Sequence, residues 1–159
     1  MQFYTAIGAI VIAWCGLEGA RRLNRRVQSD ICVIDAYISL LRYIRTQIDC
    51  YALPIGEIFE KCDWSLLSLC GWERKDTPSE FKELFFRSNI RDKMTRDIIS
   101  EFSADFGRNY RDEELKRCEG CIAALEAERV RLATEMPNRK KLNLTLCLSA
   151  SLALIILFV

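Results

Sequence analysis

Every formal charge in this chain lies between Glu18 and Lys141. All 23 Lys and Arg and all 22 Asp and Glu fall in that stretch, making it about 36% charged against an ordinary quarter. The residues on either side, Met1 to Leu17 and Leu142 to Val159, carry no charge. Two uncharged apolar strings around a densely charged middle are the distribution expected of a chain that enters a bilayer at both ends.

As helices the two strings measure roughly 25 Å and 27 Å, close to a hydrocarbon layer of about 30 Å, and the first can extend through Ala20. Residues 1–20 and 142–159 are therefore read as transmembrane helices, with 21–141 a cytosolic all-helical domain between them. A cleaved signal peptide is the rival reading of the first string. It wants basic residues ahead of the apolar run, whereas Arg21, Arg22, Arg25 and Arg26 follow it. The second string has Asn143 and Thr145 in its first turn and no polar face suited to a buried core helix. Arg139, Lys140 and Lys141 precede it and nothing basic follows. Both basic clusters flank the middle, so the positive-inside rule puts the middle in the cytosol and both termini outside. A cytosolic middle predicts reduced thiols.

Composition excludes several chemistries. With no histidine, neither a Ser-His-Asp nor a Cys-His arrangement can form, and no His-ligated metal. The seven glycines form neither G-x-G-x-x-G nor G-x-x-x-x-G-K-[ST]. A net charge of +1 gives no electrostatic footprint for nucleic acid. No catalytic, cofactor-binding or metal-binding residue is expected, and the chain is read as non-enzymatic.

The middle reads as helices throughout, an all-α fold. Val27, Ile31, Ile34, Ile38, Leu41 and Ile48, with Arg45 at one position, form the seam of a long helix ending near Tyr51 to Leu53, ahead of Pro54. Pro54 suits the first turn of a helix whose apolar face is Ile55, Ile58, Phe59 and Cys62. Asp63 to Trp72 makes one or two turns ending near Gly71. Thr77-Pro78-Ser79-Glu80 signals the start of a helix carrying Phe81, Leu84 and Phe85. Another helix spans about Asn89 to Phe106, with Met94, Ile98, Ile99, Phe102 and Phe106 inward and Gly107 as its stop. The last begins at Asn109, with Asp112, Glu113 and Glu114 favouring its dipole. Its seam is Leu115, Cys118, Ile122, Leu125, Leu132 and Met136, with Arg129 at one position, and Pro137 should break or kink it. An antiparallel pair formed by the first and last helices and standing on the membrane, with shorter helices packed at its far end, is the natural arrangement.

Cys118-Glu119-Gly120-Cys121 is the only feature that invites an enzymatic reading. It lies more than a turn inside a helix, without the helix N-terminus or βαβ context that activates a redox pair, and on an apolar seam cysteine is a small hydrophobe. A four-thiolate zinc site from Cys62, Cys70, Cys118 and Cys121 would need a second closely spaced pair. Cys15 and Cys147 read as filler within the spans. The charged faces offer no catalytic acid pair and read as solvated. Ala9 with Ala13, Gly16 with Ala20, and Ser149 with Ala153 have small-x-x-x-small spacing, which permits close helix contact or self-association.

The order of features resembles the stage III sporulation protein AB family of endospore-forming bacteria over essentially the whole chain. The resemblance is carried by the apolar start, Gly19-Ala20-Arg21-Arg22-Leu23 and Leu53-Pro54-Ile55-Gly56-Glu57-Ile58-Phe59, similar to the family's T-P-L-x-E-A-L-like turn. Asp97 to Gly107, a long charged helix and the hydrophobic tail follow in the family's order. The chain departs from the family at Tyr110 and Glu114, where an aspartate and a glutamine are usual, at Pro137, and in a last span without glycines. The resemblance implies a cytosolic domain similar to the platform proteins of type II secretion and pilus assembly. It implies a place in the mother-cell-derived membrane around the forespore, among other stage III sporulation proteins and facing a secretion-type ATPase. It implies no catalytic residues. On this reading, exposed residues between Asp63 and Asn89 form the ATPase-facing end. Two alternatives stay open, a membrane-anchored thiol redox protein using Cys118 and Cys121 and a membrane-tethered regulatory helical protein.

Overall fold

A computed structural model describes residues 2–51, 53–73, 76–88 and 90–158; side chains at 2–13, 26, 27, 55, 56, 139, 154, 155, 157 and 158 lie outside the description. The described residues form helices and connecting turns, with no strand among them. In order these are α1 (Gln2–Thr46) running into a π-turn (Gln47–Tyr51), α2 (Ile55–Glu60), α3 (Trp64–Leu69), α4 (Phe81–Arg87), α5 (Lys93–Asp105) and α6 (Arg111–Phe158). The chain divides into two compact units, the first Met1–Ser29 with Leu132–Val159 and the second Asp30–Arg131.

In the first unit the early part of α1 and the late part of α6 run antiparallel. Asn143 Nδ2 donates to Asn24 Oδ1 at 3.3 Å, Gly19 faces Cys147, and Gly16 faces Ser151. A Cβ added at Gly16 would come within 2.1 Å of Ser151 Oγ and 3.1 Å of the Cys147 carbonyl oxygen, so glycine permits this approach. Gly16 and Ala20 thus serve contact within the chain. Ser149 and Ala153, the expected counterparts, are exposed, while Ala9 and Ala13 lie outside the described side chains. Among the described residues no helix is long and apolar enough to cross a membrane. The proposed spans include residues 2–13 and 154–159, most of whose side chains are outside that description.

In the second unit α1 and α6 again pair antiparallel. The apolar stripe of α1 is broader than its sequence seam, with Ile34, Tyr37, Leu40, Leu41 and Ile44 almost fully buried. Arg45 is exposed and Ile44 takes the inward position, because α1 packs on two sides. Tyr37 O–H donates to the Cys70 carbonyl at 3.3 Å and Tyr43 O–H to the Ile58 carbonyl at 3.2 Å. On α6 the buried stripe is Glu114, Cys118, Cys121, Leu125, Glu128 and Leu132. Cys118, Leu125 and Leu132 are buried as expected, but between them the stripe is rotated from the expected seam: Ile122 is only half-buried and Arg129 is exposed. The rotation places two acids inside, which hydrophobic periodicity has no means of choosing. Among the core positions expected on α1 and α2, the side chains of Val27 and Ile55 lie outside the described residues.

The short helices end where local chemistry stops them. Asp63 caps α3 by accepting from the Ser65 N–H at 3.0 Å. Gly71, at φ 97°, closes it in a Schellman turn, with Trp72 N–H on the Leu67 carbonyl and Gly71 N–H on that of Ser68. Gly107, at φ 89°, follows α5 in the same backbone region. Three boundaries differ from expectation. The helix signalled at Thr77 starts only at Phe81, since Pro78 is buried in an extended lead and Glu80 is the cap. The helix expected from Asn89 starts at Lys93, because Asp92 caps it by accepting from Thr95 N–H at 2.8 Å; Asn89 itself is outside the described residues. On α5, Ile99 and Phe102 are buried as expected, while Thr95 and Ser103 join them and Met94 is 57% exposed. Finally, α6 continues through Pro137. The bond its missing N–H would have made is to the carbonyl of Ala133, an exposed residue that water can reach.

Phe81 is the hub of this core. Its ring centroid lies 5.0 Å from that of Phe102, 5.5 Å from Phe106, 6.3 Å from Tyr37 and 6.4 Å from Phe59, joining α1, α2, α4 and the end of α5. Replacing Phe81 with alanine should cost about 3–5 kcal/mol. Urea unfolding of the full chain in detergent, followed by fluorescence of buried Trp72, measures this; a loss under about 1 kcal/mol contradicts the hub role.

Candidate functional site

Cys118 and Cys121 sit one turn apart on the buried stripe of α6, 0% and 8% exposed. Burial pushes both thiols up to about 12, with the negative charge of Glu114 adding to the effect on Cys118 and that of Glu101 on Cys121. The nucleophile in thiol chemistry is the thiolate, and these positions suppress it. Cys121 also lines an open cavity of about 270 Å³ with Ile98, Glu101, Phe102, Arg117 and Gly120. A Cβ on Gly120 would meet nothing within 4 Å, so packing alone does not require glycine there. Cys70, 1% exposed, is likewise pushed up to about 12 by burial, and half-buried Cys62 to about 11. Among the described residues no group of three or more Cys, Asp or Glu is placed to hold a metal ion.

Two acids of α6 that read as members of solvated faces are instead 4% exposed. Glu128 is held by Arg131, whose Nε donates to Oε2 at 2.9 Å and to Oε1 at 3.1 Å. The same guanidinium lies 3.6 Å from Asp92. Burial works to raise the Asp92 carboxyl, yet the Thr95 N–H and hydroxyl, with Arg131, hold it below the usual carboxylate range. This cluster ties the start of α5 to α6 at the end of the unit where the chain leaves it.

The second acid, Glu114, organises the opposite end. Its Oε1 accepts from Gly107 N–H at 2.9 Å, Asn109 N–H at 3.2 Å and Asn109 Nδ2 at 3.3 Å, folding the α5–α6 turn back onto α6. Beside it, Arg111 Nε donates to the Ile48 carbonyl at 3.2 Å, and Nη2 bonds the Asp49 carbonyl and carboxylate. These carbonyls belong to the π-turn that ends α1, whose widened backbone leaves acceptors free for a side-chain donor. From the sequence Glu114 reads as a helix-dipole acid on a solvated face and not as the anchor of a turn. Glu114 lies five residues after Asn109 and seven after Gly107, outside capping-box spacing, so no sequence signal marked it.

The segment between Asp63 and Asn89, taken as the partner-facing end, contributes both core and surface. Trp72 and Phe81 are buried, whereas Trp64, Leu69 and Phe86 are exposed at 41%, 61% and 73%. Lys82 Nζ lies 5.8 Å from the Phe86 ring centroid, and the Arg87 guanidinium 5.5 Å from that of Trp72.

Comparison with family models, with curated proteins and with solved structures finds no match.

The three most buried thiols yield a test with a defined sign. An unfolded-state cysteine ionises near its ordinary value of about 8.5, while Cys70, Cys118 and Cys121 stay protonated to about 12. The folded state therefore binds more protons between those values, and stability must fall as pH rises through that window. Replacing all three with alanine should flatten that alkaline slope. In the folded protein at neutral pH, iodoacetamide should modify exposed Cys32 and Cys50 well before Cys118 and Cys121. Rapid modification of the pair would restore the redox alternative.

Proposed function

We propose that the chain is a non-enzymatic membrane platform and assembly component of the secretion-like complex between mother cell and forespore, a member of the stage III sporulation protein AB family. Residues 1–20 and 142–159 span the mother-cell-derived membrane, and the charged middle faces the mother-cell cytosol and a secretion-type ATPase. The observation that carries this reading is the whole-chain order of features. Charge-free apolar ends, the Leu53 to Phe59 turn, the segment ending in Gly107 and the long charged helix follow one another as in that family. The all-helical second unit is compatible with a platform domain. The close approach at Gly16 and Ser151 is the kind of contact that serves two helices in a bilayer.

Nothing at Cys118 and Cys121 favours the redox alternative, because both are buried with their thiols held protonated. Exposed Trp64, Leu69 and Phe86 suit a partner-facing role for the 63–89 segment, where apolar side chains outside a core need a cover.

Deletion of the gene in a spore-forming host tests the reading. Vegetative growth should be normal, engulfed forespores should stall, and heat-resistant spore counts should collapse. Normal sporulation, or a defect confined to growth, overturns it.

A further inference from the structure

The net charge of +1 hides a segregation between the two units. Met1–Ser29 with Leu132–Val159 carries seven basic and two acidic residues, a net +5; the remaining sixteen basic and twenty acidic residues leave Asp30–Arg131 at −4. The basic residues of the first unit lie in two separate segments, 21–26 and 139–141, and the antiparallel register brings these together. Asn143 bonds Asn24, 119 residues away in sequence, while Gly19 faces Cys147 and Gly16 faces Ser151. With a helical rise of about 1.5 Å per residue, Arg21, Arg22, Arg25, Lys140 and Lys141 all fall within about one turn of the asparagine pair. The two clusters thus form one band across the two-helix unit.

Little in the band neutralises these cations. Glu18 lies 3.8 Å from both Arg21 and Arg22, while Arg25, Lys140 and Lys141 take part in no ion pair among the described residues. All five basic side chains are exposed, and at the same level so are Leu142, Leu144 and Leu146, at 59%, 40% and 57%. A surface that is cationic and apolar at once suits a ligand with both characters. Phospholipid phosphates accept from guanidinium and ammonium groups, and the acyl chains below them cover leucines. Long basic side chains reach such headgroups while their stems rest on apolar surface. A nucleic acid or a free phosphate would meet the cations and leave the leucines in water. A zwitterionic headgroup brings a cation of its own into the band, so the uncompensated charge selects against it. We propose that this band is a binding site for anionic phospholipids, with Arg25, Lys140 and Lys141 as its unpaired cations. The inference rests on the membrane reading of the two apolar ends and adds a lipid selectivity to it, and the test tells the two failures apart.

The test uses the full chain in vesicles of equal parts phosphatidylcholine and phosphatidylglycerol, with one lipid or the other carrying brominated acyl chains that quench tryptophan. Trp14, 63% exposed, is the tryptophan of the first unit, and the quenching lost in Trp14→Phe is that unit's signal. Phosphatidylglycerol should be preferred over phosphatidylcholine beside Trp14 by about fivefold or more, the worth of one basic residue at a lipid surface. Combining Arg25→Gln, Lys140→Gln and Lys141→Gln should cut that preference at least about threefold. Combining Lys93→Gln, Arg108→Gln and Lys116→Gln, at exposed cations of the second unit, should leave it unchanged. Equal quenching by the two brominated lipids leaves the cations to another anion, such as the acidic second unit of another copy. That result overturns the proposal while the membrane reading stands. An unchanged preference in the first-unit variant, or an equal loss in the second-unit one, overturns it as well. No quenching of Trp14 by either lipid overturns the membrane reading, and the site with it.

Discussion

The antiparallel pairing of α1 with α6 in the second unit is the contact on which the rest of that unit depends. Four cross-helix ion pairs follow one another along it: Asp35 with Arg129 at 2.5 Å, Arg42 with Glu126 at 2.5 Å, Arg45 with Glu119 at 2.7 Å and Asp49 with Arg111 at 3.1 Å. All eight side chains are roughly half exposed, so each pair contributes at most about 1 kcal/mol and is screened by salt. The energy lies in the apolar stripe beneath, from Ile34 and Leu41 on α1 to Cys118 and Leu125 on α6. What the pairs supply is register. Sliding one helix by a turn would keep the inward faces but set Arg45 or Arg42 against the wrong neighbour.

With that pair fixed, the four short helices need only cover the remaining side of α1. They are too short to be stable alone, and α2, α3 and α5 are each bounded by a specific device. Asp63 and Asp92 cap their helices, Gly71 turns the chain out of α3, and Pro54 leads into α2. Phe81 then joins α4 to α1, α2 and the end of α5 through four ring contacts. The π-turn at the end of α1 has a similar economy, since the acceptors it exposes at Ile48 and Asp49 are those that Arg111 bonds.

The all-helical class, the long first and last helices, the Gly71 and Gly107 stops and the Asp63 start were all legible in the residues, because period and capping chemistry are local signals. So were Cys118, Leu125 and Leu132 on α6, but the other half of its inward stripe was not. Hydrophobic periodicity chooses Ile122 over Cys121 and steers away from Glu128, whereas burial of Glu128 is made possible by Arg131 three residues on and by Asp92 far away in sequence. Glu114 escaped for the same reason, since its three donors come from a turn whose conformation no pattern of residue types displays. Helix starts after Pro78 and Asn89 were set too early because a cap signal in sequence does not reveal whether the following residues are drawn into extended contact with a core.

The two-span topology is the premise on which the functional reading depends, and thiol labelling tests it directly. Cys50 is exposed in the charged middle and reports its side of the membrane. Take a variant whose only accessible cysteine is Cys50 and a second whose only accessible cysteine is one appended after Val159, express each in vegetative cells, where the membrane faces the medium, and treat intact and permeabilised cells with a membrane-impermeant maleimide. Labelling of Cys50 only after permeabilisation, with the appended cysteine labelled in intact cells, is the predicted result. Labelling of Cys50 in intact cells, or protection of both sites until permeabilisation, contradicts it.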